Sequence, residues 1–564
     1  MLNIVKIIFL FFNKEISSFI QNFKSEKKNQ NTLDKKCDFF NKYMLKNETE
    51  EKVLVTSFLN IYDYLKYEYF LGIYLSKIIN KSPIFLIHQK DYKSLNFFKK
   101  LGIKDDKFIF FDGGGFFKKL KYLIESYKML SKINTIEEFV EFKFKNIEFG
   151  KIIYSHHARY NGLPTNDRII ADYFIFGAQF LNYYDQFEKI LKKHKISDVI
   201  QSETQFMPNS VMFGLSLDKK IEVFSRTGIN EITVKKAKDS KLFCETRQQF
   251  DPKVHLSLKK CLNKEKMKKK ALKLLSLRFD GKLKADIEID DQLLKLIEHQ
   301  KSHKVTQRAF NKIELCKLLG WDKEKPVGAI LANDLTDALF TNKWRVYRDN
   351  YIWLRETLKF ASMNKNMNWL IKPHPSEIKN KVTLTTPNLL NDFSSYGNIK
   401  LYPSEVSLKC LPDIVSLIVS NFGSAGYEYP ALGVPAITAS EAMYADMNVS
   451  IEAKSEEEYK KLILQCPNIK SVDNDQKENA LLFTYLLLVL TKITISTVAD
   501  KENPYSLVQS QFWEQFEKSF QVFEEKNNGL IENDFFYRSF KYQMEKNLKH
   551  TLDLDEINKL EIKL

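Results

Sequence analysis

The chain has 564 residues, 44% hydrophobic and 28% charged, which is too long for a single core and excludes wholesale disorder. Its formal net charge of +16 invites an acidic partner such as nucleic acid, nucleotide or anionic lipid. Lysine is abundant along the whole sequence, however, and no arginine-rich stripe with interleaved aromatics is present, so nucleic acid is not expected as a partner. The six cysteines are scattered without a C-x-x-C pair, which argues against a structural zinc site and suits a reducing cytoplasm.

In chain order, Leu2 to Phe12 is apolar apart from Asn3 and Lys6 and is too short to span a bilayer. It reads as a helix packed on the body, with a peripheral foot on an anionic membrane as the alternative. Polar, Lys- and Asn-rich sequence follows, so 1–50 is an N-terminal helix and connector. A first α/β domain is expected over 51–250. It opens with Lys52-Val-Leu-Val-Thr-Ser-Phe58, a buried-strand pattern, and an aromatic-rich helix to about Ile79. Further strands are predicted at Ser82–His88, Lys107–Phe111, Gly150–Tyr154, Asp198–Ile200 and Lys220–Phe224, with a long helix near 166–194. This alternation implies a parallel sheet covered by helices on both faces.

The segment 251–325 changes texture. Its basic run Lys259 to Lys273 is helix-favouring, and the segment reads as a connector between domains. Strand signals resume at Pro326–Ala332 and recur at 369–372, 398–401, 415–420 and 434–438, defining a second α/β domain over 326–470. The remainder, 471–564, reads as helical, and Ala480 to Leu490 as a core helix. The fold class is therefore α/β: two Rossmann-like, doubly wound domains with additional N- and C-terminal helices.

Two segments of the second domain carry the chemistry. In Lys372-Pro-His-Pro375, flanking prolines hold His374 extended at a strand end, where its imidazole and the Lys372 ammonium can both meet a phosphate. In Ser420-Asn-Phe-Gly-Ser-Ala-Gly426, small residues lead from a strand into a helix, a geometry that brings backbone N–H groups and the Ser424 hydroxyl to an anion. Glu428 lies four residues beyond Ser424, on the same helical face, and can reach ribose hydroxyls or serve as a first-turn dipole partner.

Together, Lys372 to Pro375 and Gly423-Ser-Ala-Gly-Tyr-Glu428 through Gly433-Val-Pro435 resemble the donor-binding domain of GT-B-type glycosyltransferases. The likeness is to the capsule and surface-polysaccharide group, which includes CMP-Kdo-dependent transferases. CDP-glycerol polymerases share the layout but carry an Asp-rich turn where Ser420-Asn-Phe-Gly-Ser424 stands here. The resemblance spans about 326–470. It implies a GT-B-like arrangement, a nucleotide-sugar donor and a glycan or lipid-linked glycan acceptor at the cytoplasmic face of the membrane. It also places Asn333, Lys372, His374, Gly423, Ser424, Gly426 and Glu428 at the donor, with Asp334 and Asp337 beside them.

The first domain should hold the acceptor and any base or nucleophile. Its candidates are His157 in Tyr154-Ser-His-His-Ala-Arg159, Glu203 in Gln201-Ser-Glu-Thr204, and Arg226 after the strand at 220–224, all read as strand ends converging on one sheet edge. Glu203 or His157 would deprotonate the acceptor in an inverting transfer, and Glu203 would be the nucleophile in a retaining one. Arg226 and Arg159 would pair with an acidic sugar or the donor phosphates. No D-x-D triplet follows a strand at a suitable place, so neither a metal nor another cofactor is expected. Two other functions fit the same sequence: a nucleotide-sugar epimerase of this fold, and a non-catalytic, membrane-associated carbohydrate-binding scaffold.

Overall fold

The computed structural model describes residues 5–13, 48–228, 232–238, 250–279, 307–337, 339–493 and 509–564. Among the described residues the strands form two six-stranded sheets. The first contains β1 (Lys52–Ser57), β2 (Ser82–His88), β3 (Phe108–Phe111), β4 (Ile196–Ser202), β5 (Glu222–Thr227) and β6 (Thr233–Ala237). Its order is β3-β2-β1-β4-β5-β6, parallel except for the β5–β6 pair. The second contains β7 (Val327–Leu331), β8 (Asn368–Lys372), β9 (Ile399–Leu401), β10 (Leu417–Ser420), β11 (Ala436–Thr438) and β12 (Ile451–Glu452). Read from β9, its order is β9-β8-β7-β10-β11-β12, parallel throughout. Both sheets are thus doubly wound, and each reverses its strand order between its first and fourth strands. That reversal opens a crevice at the carboxyl edge where ligands bind in such folds.

The central strands are short apolar runs buried on both faces, as Val53, Leu54 and Val55 of β1 illustrate. Helix Tyr62–Ile79 packs against β1 closely enough that a Cβ on Gly72 would sit 2.4 Å from Val55 Cγ2. In the second domain Trp353 and Trp369 are fully buried in the cluster that covers β7 and β8.

One predicted strand is corrected. Gly150 to Tyr154 lies inside helix Phe149–Asn161, which turns Ile152, Ile153 and Tyr154 into the aromatic cluster around Phe180 and Tyr173. Its β-branched and aromatic content mimics a strand, but the run Phe149 to Asn161 holds neither Pro nor a helix-ending Gly. It stops at Gly162, whose φ of 64° lies in the left-handed region. The long helix is Ala171–Lys193, and β6 and β12, both short, were not predicted.

Residues 5–13 form a helix that buries Ile7 and Phe11 against the first domain and leaves Val5 and Phe9 exposed. Most of the polar stretch after it lies outside the described residues, as does 280–306 of the connector. Among the described residues, no helix is long and apolar enough to cross a membrane. The C-terminal region divides its packing. Phe520, Phe536 and Phe540 cover the first domain, whereas Ala480 to Leu490, Leu552 and Ile557 join connector helices Pro252–Lys260 and Lys264–Phe279 behind the second.

Candidate functional site

The carboxyl ends of β4 and β5 face those of β7, β8 and β10 across a cleft of about 450 Å³. The first domain contributes Arg159, Glu203, Ser225 and Thr227; the second contributes Asn333, Asp334, Asp337, His374, Gly423 and Ser424. A side compartment of about 300 Å³ continues into the second domain, lined by Lys372, Pro373, Ser420, Glu428 and Tyr429.

On the second-domain wall, three strand-end turns are tied into one polar network. Asn333 Oδ1 accepts from the Ser420 hydroxyl at 3.2 Å and from the Asn421 N–H at 3.1 Å. Asn421 donates to Asn350 at 2.9 Å, and Asn350 donates to the Asp334 carbonyl at 2.6 Å. The Asp334 carboxylate in turn accepts from the Ser376 hydroxyl, which is bonded to His374 Nδ1. Six residues from three turns, joined by Asn350 at the start of helix Asn350–Met363, thus fix one another, and their polar atoms are held in place by the fold.

Lys372 ends β8 in a half-buried position, and burial lowers its pKa. Among the described residues no carboxylate pairs with it. Burial likewise lowers the pKa of His374, against the opposing pull of Asp334. An anion placed between these two groups would reverse both shifts, because a counter-charge repays the desolvation of a cation.

The small-residue turn departs from the expectation in two ways. Helix Ala425–Ala431 has only seven residues, and the Gly423 N–H is already bonded to the Ser420 hydroxyl at 3.2 Å. Gly426 faces away from the cleft. A Cβ there would meet Tyr444 Oη at 1.8 Å, and that hydroxyl donates to the Gly423 carbonyl at 2.8 Å. Gly426 therefore shapes the turn from behind, whereas Gly423 and Ser424 line both compartments. Glu428 is buried and forms an ion pair with Arg278 at 2.8 Å.

Among the first-domain candidates only Glu203 reaches the cleft, accompanied by Arg159. Glu203 adopts φ of 60°, a left-handed conformation that is uncommon outside glycine and recurs at functional sites. Two buried amides hold it there: Gln201 Nε2 donates to the Glu203 carbonyl at 2.7 Å, and Asn209 Nδ2 donates to the Ser202 carbonyl at 2.7 Å. One Arg159 nitrogen, Nη1, is buried and has no hydrogen-bond partner among the described residues.

Arg226 does not reach the cleft. Side chains alternate along a strand, and since Ser225 and Thr227 line the cleft, Arg226 points the other way. It is fully buried, donates to the Ser202 hydroxyl at 2.8 Å and lies 4.0 Å from the ring centroid of Tyr64. Beside it, burial pushes the Glu68 carboxyl up to about 8, against the lowering influence of Arg226 and Ser202. His157 is also displaced. Because its segment is helical, the imidazole is buried among Tyr173 and Phe176, with Nδ1 3.4 Å from Asn166 Nδ2. It lines neither compartment.

Arg278 was missed by sequence reasoning. Met267, Ala271 and Leu275 form a buried stripe at four-residue spacing, which marks the inner face of helix Lys264–Phe279 and carries its last turn toward the second domain. Among the described residues, no group of three or more His, Cys, Asp or Glu side chains is arranged to hold a metal ion.

No protein-family model matches the chain, and a search of curated proteins returns no match. Among solved structures, it is similar to KpsC of Thermosulfurimonas dismutans, a beta Kdo 2,7 transferase, at 12% identity over 61% of this chain and 89% of that one, with a TM-score of 0.33. It is also similar to a glycosyltransferase from Rickettsia africae, at 12% identity over 85% of this chain and 98% of that one, with a TM-score of 0.24. A third similar structure is the UDP-GlcNAc 2-epimerase of Methanocaldococcus jannaschii, at 13% identity over 78% of this chain and 99% of that one, with a TM-score of 0.23.

Proposed function

We propose that the protein is a glycosyltransferase that moves a sugar from a nucleotide-sugar donor to a glycan or lipid-linked glycan acceptor in surface-polysaccharide synthesis. The observation that carries this reading is the two-sided cleft. A carboxylate, Glu203, stands on one wall and His374 and Ser424 stand at the strand ends opposite; Lys372, with no carboxylate partner among the described residues, lines the adjoining side compartment. In the reaction the bond between the anomeric carbon and the donor phosphate oxygen breaks, and the phosphate leaves with the electron pair. The acceptor oxygen forms the new bond to carbon, and Glu203 takes its proton. Lys372 and the Ser424 hydroxyl stabilise the charge that develops on the departing phosphate, and each such donor is worth about 10²–10³ in rate.

The K-P-H-P likeness implies a CMP-sugar, with Kdo as the sugar of the relatives it resembles. Arg159 supports a carboxylated sugar, because its permanently charged guanidinium lines the cleft wall beside Glu203. A thermal-shift panel of CMP, CDP, UDP and GDP tests the donor site; stabilisation by none of the four would sink it. Release of free nucleotide only when acceptor is present separates transfer from epimerisation, and the anomeric configuration of the product separates Glu203 as base from Glu203 as nucleophile.

A further inference from the structure

The cleft and the side compartment share one wall: Arg278, Asn333, His374, Gly423 and Ser424 line both. A donor that keeps its nucleoside in the side compartment and its sugar in the cleft must pass its phosphate across that wall. Arg278 is the shared residue that carries a permanent charge. It comes from the connector helix Lys264–Phe279, outside either sheet, and its side chain is 26% exposed while that of Glu428 is 10% exposed. Glu428 Oε1 lies 2.8 Å from Arg278 Nε, an ion pair without hydrogen-bond geometry. A guanidinium whose counter-charge sits beside Nε keeps its two terminal nitrogens for a second, bidentate acceptor, the geometry that suits a phosphate.

Building on the nucleotide-sugar reading, we propose that Arg278 is the phosphate clamp of this site and that Glu428 positions Arg278 instead of reading the ribose. This assignment also settles an electrostatic conflict. An unpaired Glu428 would face the donor phosphate as a like charge, whereas the pair carries no net charge and offers the terminal N–H donors of Arg278.

The test compares nucleotides with their nucleosides, using CMP with cytidine and UDP with uridine, by calorimetry on the full-length protein. Arg278→Gln should weaken nucleotide binding about tenfold or more and leave nucleoside binding unchanged, and Arg278→Lys should restore part of the loss. Glu428→Gln should reproduce the phosphate-dependent loss. Equal losses for nucleotide and nucleoside in Glu428→Gln would assign that carboxylate to the ribose and overturn the proposal. Unchanged nucleotide affinity in Arg278→Gln, in a variant whose melting matches the wild type, would overturn it as well. If the wild type binds none of these nucleotides, the donor-site reading itself fails, an outcome distinct from a wild type that binds and a variant that does not respond.

Discussion

The two sheets share one strand order but use the polar residues at their carboxyl edges in opposite ways. In the second domain, Lys372, His374 and Ser424 are left facing open space, and their neighbours Asn333, Asp334 and Asn350 serve as a frame. In the first domain, the strongest polar group at the edge, Arg226, is turned inward to Ser202 and Tyr64, and Glu203 alone of the predicted trio meets the cleft. Topology decides where a site forms. The parity of each strand and the cover offered by the adjacent helix decide which side chains enter it.

Four experiments bear on this contrast, in falling order of effect. Glu203→Gln should lower kcat by about 10²–10⁴-fold with donor affinity intact, as expected for loss of a general base. If His157→Gln produced that loss instead, with the fold preserved, the first-domain assignment would be wrong. Lys372→Ala should cost about 10²–10³ in kcat/KM, because its charge faces the leaving group; a purely structural lysine would shift melting and spare kinetics. Arg226→Met should reverse that pattern. Removing a buried donor from Ser202 and the Gly228 carbonyl should reduce unfolding free energy by about 1–3 kcal/mol, with turnover per folded molecule unchanged.

The smallest effect is a pH dependence on helix Phe149–Asn161, where the His156 ring packs against Phe176. Burial, and secondarily the neighbouring His157, push the His156 imidazole down to about 4 from its ordinary 6.5. Between those values the unfolded chain binds the extra proton, so the stability His156 contributes is complete above pH 6.5 and is lost as pH falls through about 4. His156→Phe should flatten that decline in denaturant melts at pH 7 and 4.5; an unchanged slope would mean that His156 is not buried as a neutral ring.

What could be read from sequence followed the same division. The donor-side turns are written in backbone-restricting residues, Pro373, Pro375 and Gly423, whose local geometry survives any tertiary context, so their strand-end positions were legible. Glu203 was also legible, as a carboxylate after a buried strand. Arg226 was misjudged because both faces of β5 are buried, and with no polar–apolar alternation to read, its direction cannot be inferred from pattern. His157 was misjudged because helix Phe149–Asn161 owes its conformation to packing against Phe180 and Tyr173, contacts that no local pattern encodes. Glu428 was read for its register on the helix. Its partner lies 150 positions earlier in the chain, beyond the reach of motif spacing.

The divided tail has a consequence for recombination. The chain leaves the second domain at Ile493, which bridges to Ile232, lays Phe536 and Phe540 on the first domain, and returns with Thr551 donating to the Val234 carbonyl before Ile557 and Leu560 settle behind the second. Neither half is a portable module. A chimera that exchanged donor specificity by grafting 326–470 alone would leave Ala480 to Leu490 and Ile557 against a foreign back face. One that exchanged everything after the connector would strip the host's first domain of its own aromatic cover. A workable graft must split the tail and keep 509–545 with the first sheet, so the unit of inheritance for a new donor preference is discontinuous in sequence.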